Sequence, residues 1–279
     1  TEWFWDAAAK DLNIEWFKPY EKVLDTSKGI EWARWFIGGK LNIAHNCVDR
    51  HAKTRRDRTA IIWQGEDGEI RKLSYGALYE KVNRFANGLN SLGVGKGDAI
   101  GLYMPMSLQV PISMFGAFKI GAICVPIFSG FGASAVASRL NDVQAQILVT
   151  TDGALRKGKN LEVKKEADAA ADLVKSIKHV VVCKRLGIEV PWSSGRDIWW
   201  DDLVKDQSPA CPTAQLDSED VSLVLYSSGT TGKPKGTVHT HAGPLIECTK
   251  DVAYHFDTKE EDVFFWVTDI GWMMGPWML

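Results

Sequence analysis

The sequence encodes an α/β fold, a mostly parallel sheet flanked by helices. From residue 60 onward, short runs rich in β-branched residues alternate with amphipathic segments, the order that generates parallel strands joined by crossover helices. Residues 99–118 also carry no charge over twenty positions, the continuous apolar character of a strand and helix covered on both sides. With 279 residues, 45% hydrophobic and 24% charged, the chain has ample material for a core without disulfide or metal staples. That composition excludes disorder, collagen-like repeats and a long coiled coil.

Residues 1–55 read as an aromatic-rich extension carrying Trp3, Trp5, Trp16, Trp32 and Trp35. Such a stripe either stacks sugars or bases or anchors the extension onto a larger body, and anchoring is favoured. The basic run at 50–58 is interrupted by Asp57 and reads as a solvated linker or helix end. A strand is predicted over 60–64, with Glu66-Asp67-Gly68-Glu69 as a hairpin turn. Ser74 then caps a helix whose apolar face is Leu78, Val82, Phe85, Leu89 and Leu92, and Gly93-Val94-Gly95-Lys96-Gly97 stops it.

The uncharged stretch is long enough to span a bilayer, but Pro105, Pro111, Ser107, Gln109 and Ser113 argue instead for a buried strand over 99–104 and a helix over 107–118. Further strands follow at 123–128, 145–150 and 179–183, with helices at 133–141 and 161–176. Residues 187–213, which include Pro191, Gly195, Pro209 and Pro212, read as a long connection to a strand at 221–226. The main domain therefore runs over 56–279, with a first α/β subdomain at 56–215 and the start of a second at 216–279.

A net charge of −2 gives no electrostatic case for nucleic acid or anionic membrane. The five cysteines are odd in number and widely separated, so a reduced, cytoplasmic compartment is expected. The N-terminus lacks the basic and apolar regions of a signal peptide.

The chemistry concentrates in Tyr226-Ser227-Ser228-Gly229-Thr230-Thr231-Gly232-Lys233-Pro234-Lys235-Gly236, where five hydroxyl side chains, three glycines and two lysines follow directly on a strand. Glycines free backbone N–H groups to face an anion, hydroxyls donate further hydrogen bonds, and lysines neutralise charge. This is a polyphosphate cradle, and it is not a Walker A loop, because two residues separate Gly229 from Gly232 and Pro234 follows Lys233. Thr237-Val238-His239-Thr240 reads as a strand, so the loop joins two strands.

This loop resembles the phosphate-loop signature of the acyl-adenylate-forming superfamily. Trp35-Phe36, Gly39-Lys40-Leu41-Asn42 and Asn46-Cys47-Val48-Asp49-Arg50-His51 resemble the N-terminal motif of its acetyl-CoA synthetase-like branch. Leu73-Ser74-Tyr75, Lys119-Ile120-Gly121-Ala122, Gly195-Arg196-Asp197-Ile198-Trp199-Trp200 and Asp269-Ile270-Gly271-Trp272 extend the likeness to the last residues. The resemblance implies the N-terminal large domain of that fold, incomplete at its C-terminus. Residues 56–279 would be a partial AMP-binding domain, its second part carrying the phosphate loop.

The resemblance further implies a two-step ligase: a small carboxylic acid attacks ATP to give an acyl-adenylate, and coenzyme A then takes the acyl group and releases AMP. Ser227, Ser228, Gly229, Thr230, Thr231, Gly232, Lys233 and Lys235 would hold the ATP phosphates with Mg²⁺, Lys235 and Thr231 being the catalytic candidates. Arg156, Lys159 and Gly130 would contact coenzyme A. Lys159 stands where the branch has arginine, keeping the charge but losing the bidentate fork, and Ser129 stands where it has glycine. Trp272, Met273 and Met274 would line the acyl pocket, the two methionines standing where the acetate-specific enzymes have smaller residues and narrowing or reshaping it; acetate or propionate leads, with a larger acyl or aryl acid open.

No protein residues are expected to bind a metal. His239 and His241 are expected to pack rather than act as bases, since the carboxylate is already ionised. The superfamily's acidic Mg²⁺ ligand, hinge and C-terminal lysine find no match in these residues. The chain is therefore expected to be the front part of a longer enzyme and to be inactive alone. The alternatives are a non-catalytic nucleotide- or CoA-binding fragment, and an adenylation domain serving a carrier protein, which the N-terminal motif disfavours.

Overall fold

The computed structural model describes residues 1–227 and 234–279. The N-terminal extension comprises α1 (Glu2–Asp11), the antiparallel hairpin β1 (Lys22–Asp25) and β2 (Arg34–Ile37), the short β3 (Lys40–Leu41), and a π-helical turn leading into α2 (Arg50–Thr54). It is more regular than its aromatic spacing suggests. Trp16, Tyr20 and Phe36 form an aromatic cluster packed on the main core, as do Trp5 and Trp35, so these tryptophans anchor the extension, whereas Trp3 and Trp32 are exposed.

The main domain begins with the hairpin β4 (Thr59–Gln64) and β5 (Ile70–Ser74), closed at Gly65–Glu69 by a 2.9 Å backbone bond. Ser74 caps α3 (Tyr75–Ser91) by accepting the Ala77 N–H at 3.2 Å, and Leu78, Val82, Phe85 and Leu89 are buried. There follow β6 (Ala99–Tyr103), α4 (Gln109–Ile120), β7 (Ile123–Ile127), α5 (Ala133–Asp142) and β8 (Ile147–Thr151). The chain continues through the hairpin β9 (Ala154–Arg156) and β10 (Lys159–Leu161), then α6 (Val163–Ala171), β11 (His179–Cys183), β12 (Asp197–Trp199) and α7 (Trp200–Val204). The last elements are β13 (Leu216–Asp217), β14 (Val221–Ser227), β15 (Lys235–Thr240), α8 (Ala242–Lys250) and α9 (Met274–Trp277).

One seven-stranded sheet organises the domain, in the order β12-β11-β8-β6-β7-β14-β15. Its neighbours pair in parallel except β15, which returns antiparallel beside β14. Alternate residues feed two cores. Ile100, Leu102, Val149, Val181, Leu223 and Leu225 face the helices α3, α4 and α8, whereas Tyr103, Val125, Leu148, Val180 and Val224 face α5 and α6. The uncharged run 99–118 is thus β6 with most of α4, both buried apart from the partly exposed link at 105–109, and no helix among the described residues is long and apolar enough to cross a membrane.

Two sequence expectations are corrected. Residues 187–213 are not one long connection: Ile198 and its neighbours form β12, paired in parallel with β11, and α7 follows, with Trp200 stacked on Phe85 at 4.3 Å. The polar helix is shorter than predicted. Leu161 belongs to β10, because Lys157 and Gly158 both take positive φ (52° and 70°) and turn the chain into a hairpin before α6 starts.

Candidate active site

All parallel strands end on one edge of the sheet, the place where an open α/β sheet presents its ligand crevice. The residues singled out from sequence emerge at three strand ends on this edge, those of β14 and β7 adjacent and that of β8 beyond β6: β14 leads to the phosphate loop, β7 to the turn at 128–131, and β8 to the Arg156–Lys159 hairpin. Because β7 leaves for β8 across β6, the chain reverses its direction of sheet growth at this point.

At the β14 end, the antiparallel register pairs Tyr226 with Gly236 and Ser227 with Lys235, so Ser227 and Lys235 form the last rung before the loop, both exposed. The sequence expectation that the loop joins two strands is met. Ser228, Gly229, Thr230, Thr231, Gly232 and Lys233 lie outside the described residues. Tyr226 is anchored by donating to Asp142 at 2.5 Å, and burial together with that carboxylate pushes its phenol well above the usual range. The Arg139 guanidinium lies over both Tyr226 (5.6 Å) and Phe131 (4.3 Å), tying this strand end to the next.

At the β7 end, the Phe131 N–H donates to Phe128 O at 3.1 Å to close a tight turn around Ser129 and Gly130. A Cβ on Gly130 would lie 2.6 Å from the Phe128 ring and 3.0 Å from Arg156 Nη1, so only glycine fits between them. Arg156 in turn sits 5.6 Å over Phe128. Lys159 is the direct cross-strand partner of Arg156, which puts both exposed cations on one face of the hairpin. The tip of that hairpin is held from outside, since Lys157 N and Gly158 N donate to the Glu66 carboxylate at 3.0 and 3.3 Å.

The segment 269–272 packs on the same strand end. A Cβ on Gly271 would fall 2.0 Å from Phe128 N, so backbone meets backbone there, and Ile270 is fully buried beneath. Trp272 stays half-exposed with its ring 5.2 Å from Phe128. Met273 is exposed and Met274 opens α9. The structure therefore brings Gly130, Arg156 and Trp272 together around Phe128, with Lys159 beside Arg156 on the hairpin.

Met273 alone of the acyl-pocket candidates lines an apolar cavity of about 880 Å³ between the β14–β15 ribbon, α8 and α9. Neither Lys235 nor Arg156 borders it, so this cavity is offset from the cation-bearing strand ends. His239 is half-buried and its pKa is lowered by burial. His241 is completely buried, and desolvation pushes its pKa down to about 3. Its Nδ1 accepts the Ile43 N–H at 3.4 Å, and its ring packs edge-on to Phe118, so it is a neutral packing residue. No group of three His, Cys, Asp or Glu side chains that could hold a metal occurs among the described residues.

Sequence reasoning assigns no role to Phe128 or Asp269, the two residues on which the turns converge. The signal for Asp269 was its place in Asp269-Ile270-Gly271-Trp272, but its partner, Ser129, lies 140 residues away.

Residues 48–279 match the model of the AMP-binding enzyme family, and the chain belongs to this family. Residues 1–47 match the model described as the acetyl-coenzyme A synthetase N-terminus. Acetyl-coenzyme A synthetase from Methanothrix thermoacetophila is 47% identical over 274 residues, covering 98% of this chain and 41% of that protein. The enzyme of the same name from Pyrobaculum aerophilum is 43% identical over 286 residues, covering 98% of this chain and 42% of that protein. Acetoacetyl-CoA synthetase from Streptomyces lividans, a solved structure, superposes with a TM-score of 0.91 at 31% identity, over 99% of this chain and 42% of that one. The chain thus spans about two fifths of the length of these relatives.

Proposed function

We propose that this chain is the front part of an AMP-forming acyl-CoA synthetase that acts on a short-chain carboxylate such as acetate or propionate. The observation that carries the reading is the convergence of three loops on one edge of the sheet: the phosphate loop after β14, the Gly130 turn after β7, and the Arg156–Lys159 hairpin after β8. Residues 1–55 then form the extension and 56–279 the partial AMP-binding domain, with the phosphate-loop part starting at 216.

In the first step the carboxylate oxygen attacks the α-phosphorus of ATP and pyrophosphate departs. Such chemistry depends on positioning and charge neutralisation. Lys235, on the last rung of the β14–β15 ribbon, supplies positive charge beside the polyphosphate, and Ser227 opposite it supplies a hydroxyl. The remaining loop donors, Thr231 among them, belong to the same cradle. Mg²⁺, when bound to the polyphosphate, contributes further neutralisation; the described residues contain no acidic cluster to hold it, and no step is assigned to it. In the second step the coenzyme A thiol attacks the acyl carbon and AMP leaves, with Arg156 and Lys159 facing the phosphates of coenzyme A.

Trp272, Met273 and Met274 bound the acyl chain in this reading, and the two methionines set its size. A cytoplasmic location fits a chain whose five cysteines are all free. The test is carboxylate-dependent exchange of labelled pyrophosphate into ATP. The full-length parent is expected to show exchange with acetate or propionate, and the 279-residue chain to show none. Exchange by the parent that ignores added carboxylate would contradict the ligase reading. Appreciable exchange by the short chain would contradict its incompleteness.

A further inference from the structure

Ser129 lies in the turn after β7, and its hydroxyl does not point to solvent. It donates to Asp269 Oδ2 at 2.5 Å, while the Ser129 N–H faces Asp269 Oδ1 at 3.4 Å. The same Oδ1 accepts the Gly271 N–H at 2.9 Å. One carboxylate therefore closes the turn that leads to Trp272 and clamps the turn that carries Gly130.

Asp269 forms no salt bridge with any described residue, and Ser129 Oγ is the only donor among them to its Oδ2. Around this clamp the two turns already touch, backbone to backbone at Gly271 and Phe128, and ring to ring between Phe128 and Trp272. Phe128 also carries Arg156 on its face. A shift of the Ser129 turn would therefore move the acyl-pocket tryptophan and the phosphate-facing arginine relative to each other.

We infer that Ser129 is a positioning residue that locks the coenzyme A turn to the acyl-pocket turn through Asp269 and so holds the coenzyme A contacts of Gly130 in their binding position. The inference rests on the ligase reading above. A hydrogen bond from a hydroxyl to a charged acceptor in a half-buried site corresponds to roughly a tenfold effect.

The test compares Ser129→Ala and Ser129→Thr with wild type in the full-length parent, using ATP, acetate and coenzyme A. Ser129→Ala is expected to raise KM for coenzyme A about tenfold while kcat changes less than threefold. Pyrophosphate exchange, which needs no coenzyme A, is expected to change little, and Ser129→Thr to restore the wild-type KM. Loss of folded enzyme would lower kcat and leave KM alone, so the split separates positioning from mere destabilisation. An unchanged KM for coenzyme A in Ser129→Ala, or an equal loss in pyrophosphate exchange, overturns the inference while leaving the ligase reading intact. A wild-type parent that forms no thioester overturns both.

Discussion

Replacing Lys235 with alanine in the full-length parent is expected to slow carboxylate-dependent pyrophosphate exchange by roughly 100- to 1,000-fold, the usual cost of removing one preorganised charge-stabilising group. Its position explains why the loss should be catalytic rather than structural. Lys235 is exposed, opens β15 opposite Ser227, and makes no ion pair with any described residue. The strand beyond it is held by Gly236, whose missing side chain lets Val224 and Tyr226 pack against the backbone. Thermal unfolding of Lys235→Ala should therefore match wild type. Lys235→Arg keeps the charge but changes the donor geometry, and should recover only part of the rate.

Replacing Asp49 with alanine is expected to destabilise the 279-residue chain by about 3–5 kcal/mol, because it strands a buried ammonium. Asp49 and Lys119 are only 4% and 1% exposed, and Lys119 Nζ contacts both carboxylate oxygens at 2.8 Å. Burial alone would raise the Asp49 pKa. The imidazole of His45, 3.9 Å away, and the bonds from Lys119 and from Thr213, the last at 2.6 Å, outweigh it and hold the carboxyl below its usual 3.8. The pair's contribution is thus present above that value and fades only as pH falls through the lowered one. After Asp49→Ala the ammonium keeps only the Tyr79 ring, 5.1 Å away. Urea unfolding should show a lower midpoint with an unchanged slope, and adding Lys119→Met should recover at least half of the loss. A midpoint shift under about 1 kcal/mol would show that this pair does not tie the extension to α4.

The alternation of strands and helices was legible because each unit announces itself locally. The α3 face repeats at three and four residues, Ser74 caps it, and β6 to α4 reads as one apolar block. β12 was not legible, since a three-residue strand exists only through its pairing with β11 and through Asp197, whose buried carboxylate is satisfied by Lys164, Arg196 and the Ser193 N–H. The β9–β10 hairpin carries a local signal in Gly158, whose positive φ turns the chain between the paired flanks Arg156 and Lys159.

The site divides in the same way. The phosphate loop is contiguous in sequence, so its residue types could be read directly. The clamp between Ser129 and Asp269 could not, because nothing local links residues 140 positions apart. Sequence therefore marked Ser129 as a departure, and only the fold shows what its hydroxyl reaches.

Supplying the full-length parent with ATP, a short-chain carboxylate and free coenzyme A, and identifying the products, asks whether one edge of this sheet gathers phosphate, acyl and coenzyme A contacts for adenylation followed by thioester formation, as proposed. Acyl-CoA, AMP and pyrophosphate are expected in equal amounts. Formation of ADP and phosphate, or acyl transfer to a carrier protein with free coenzyme A inert, would rule the proposal out.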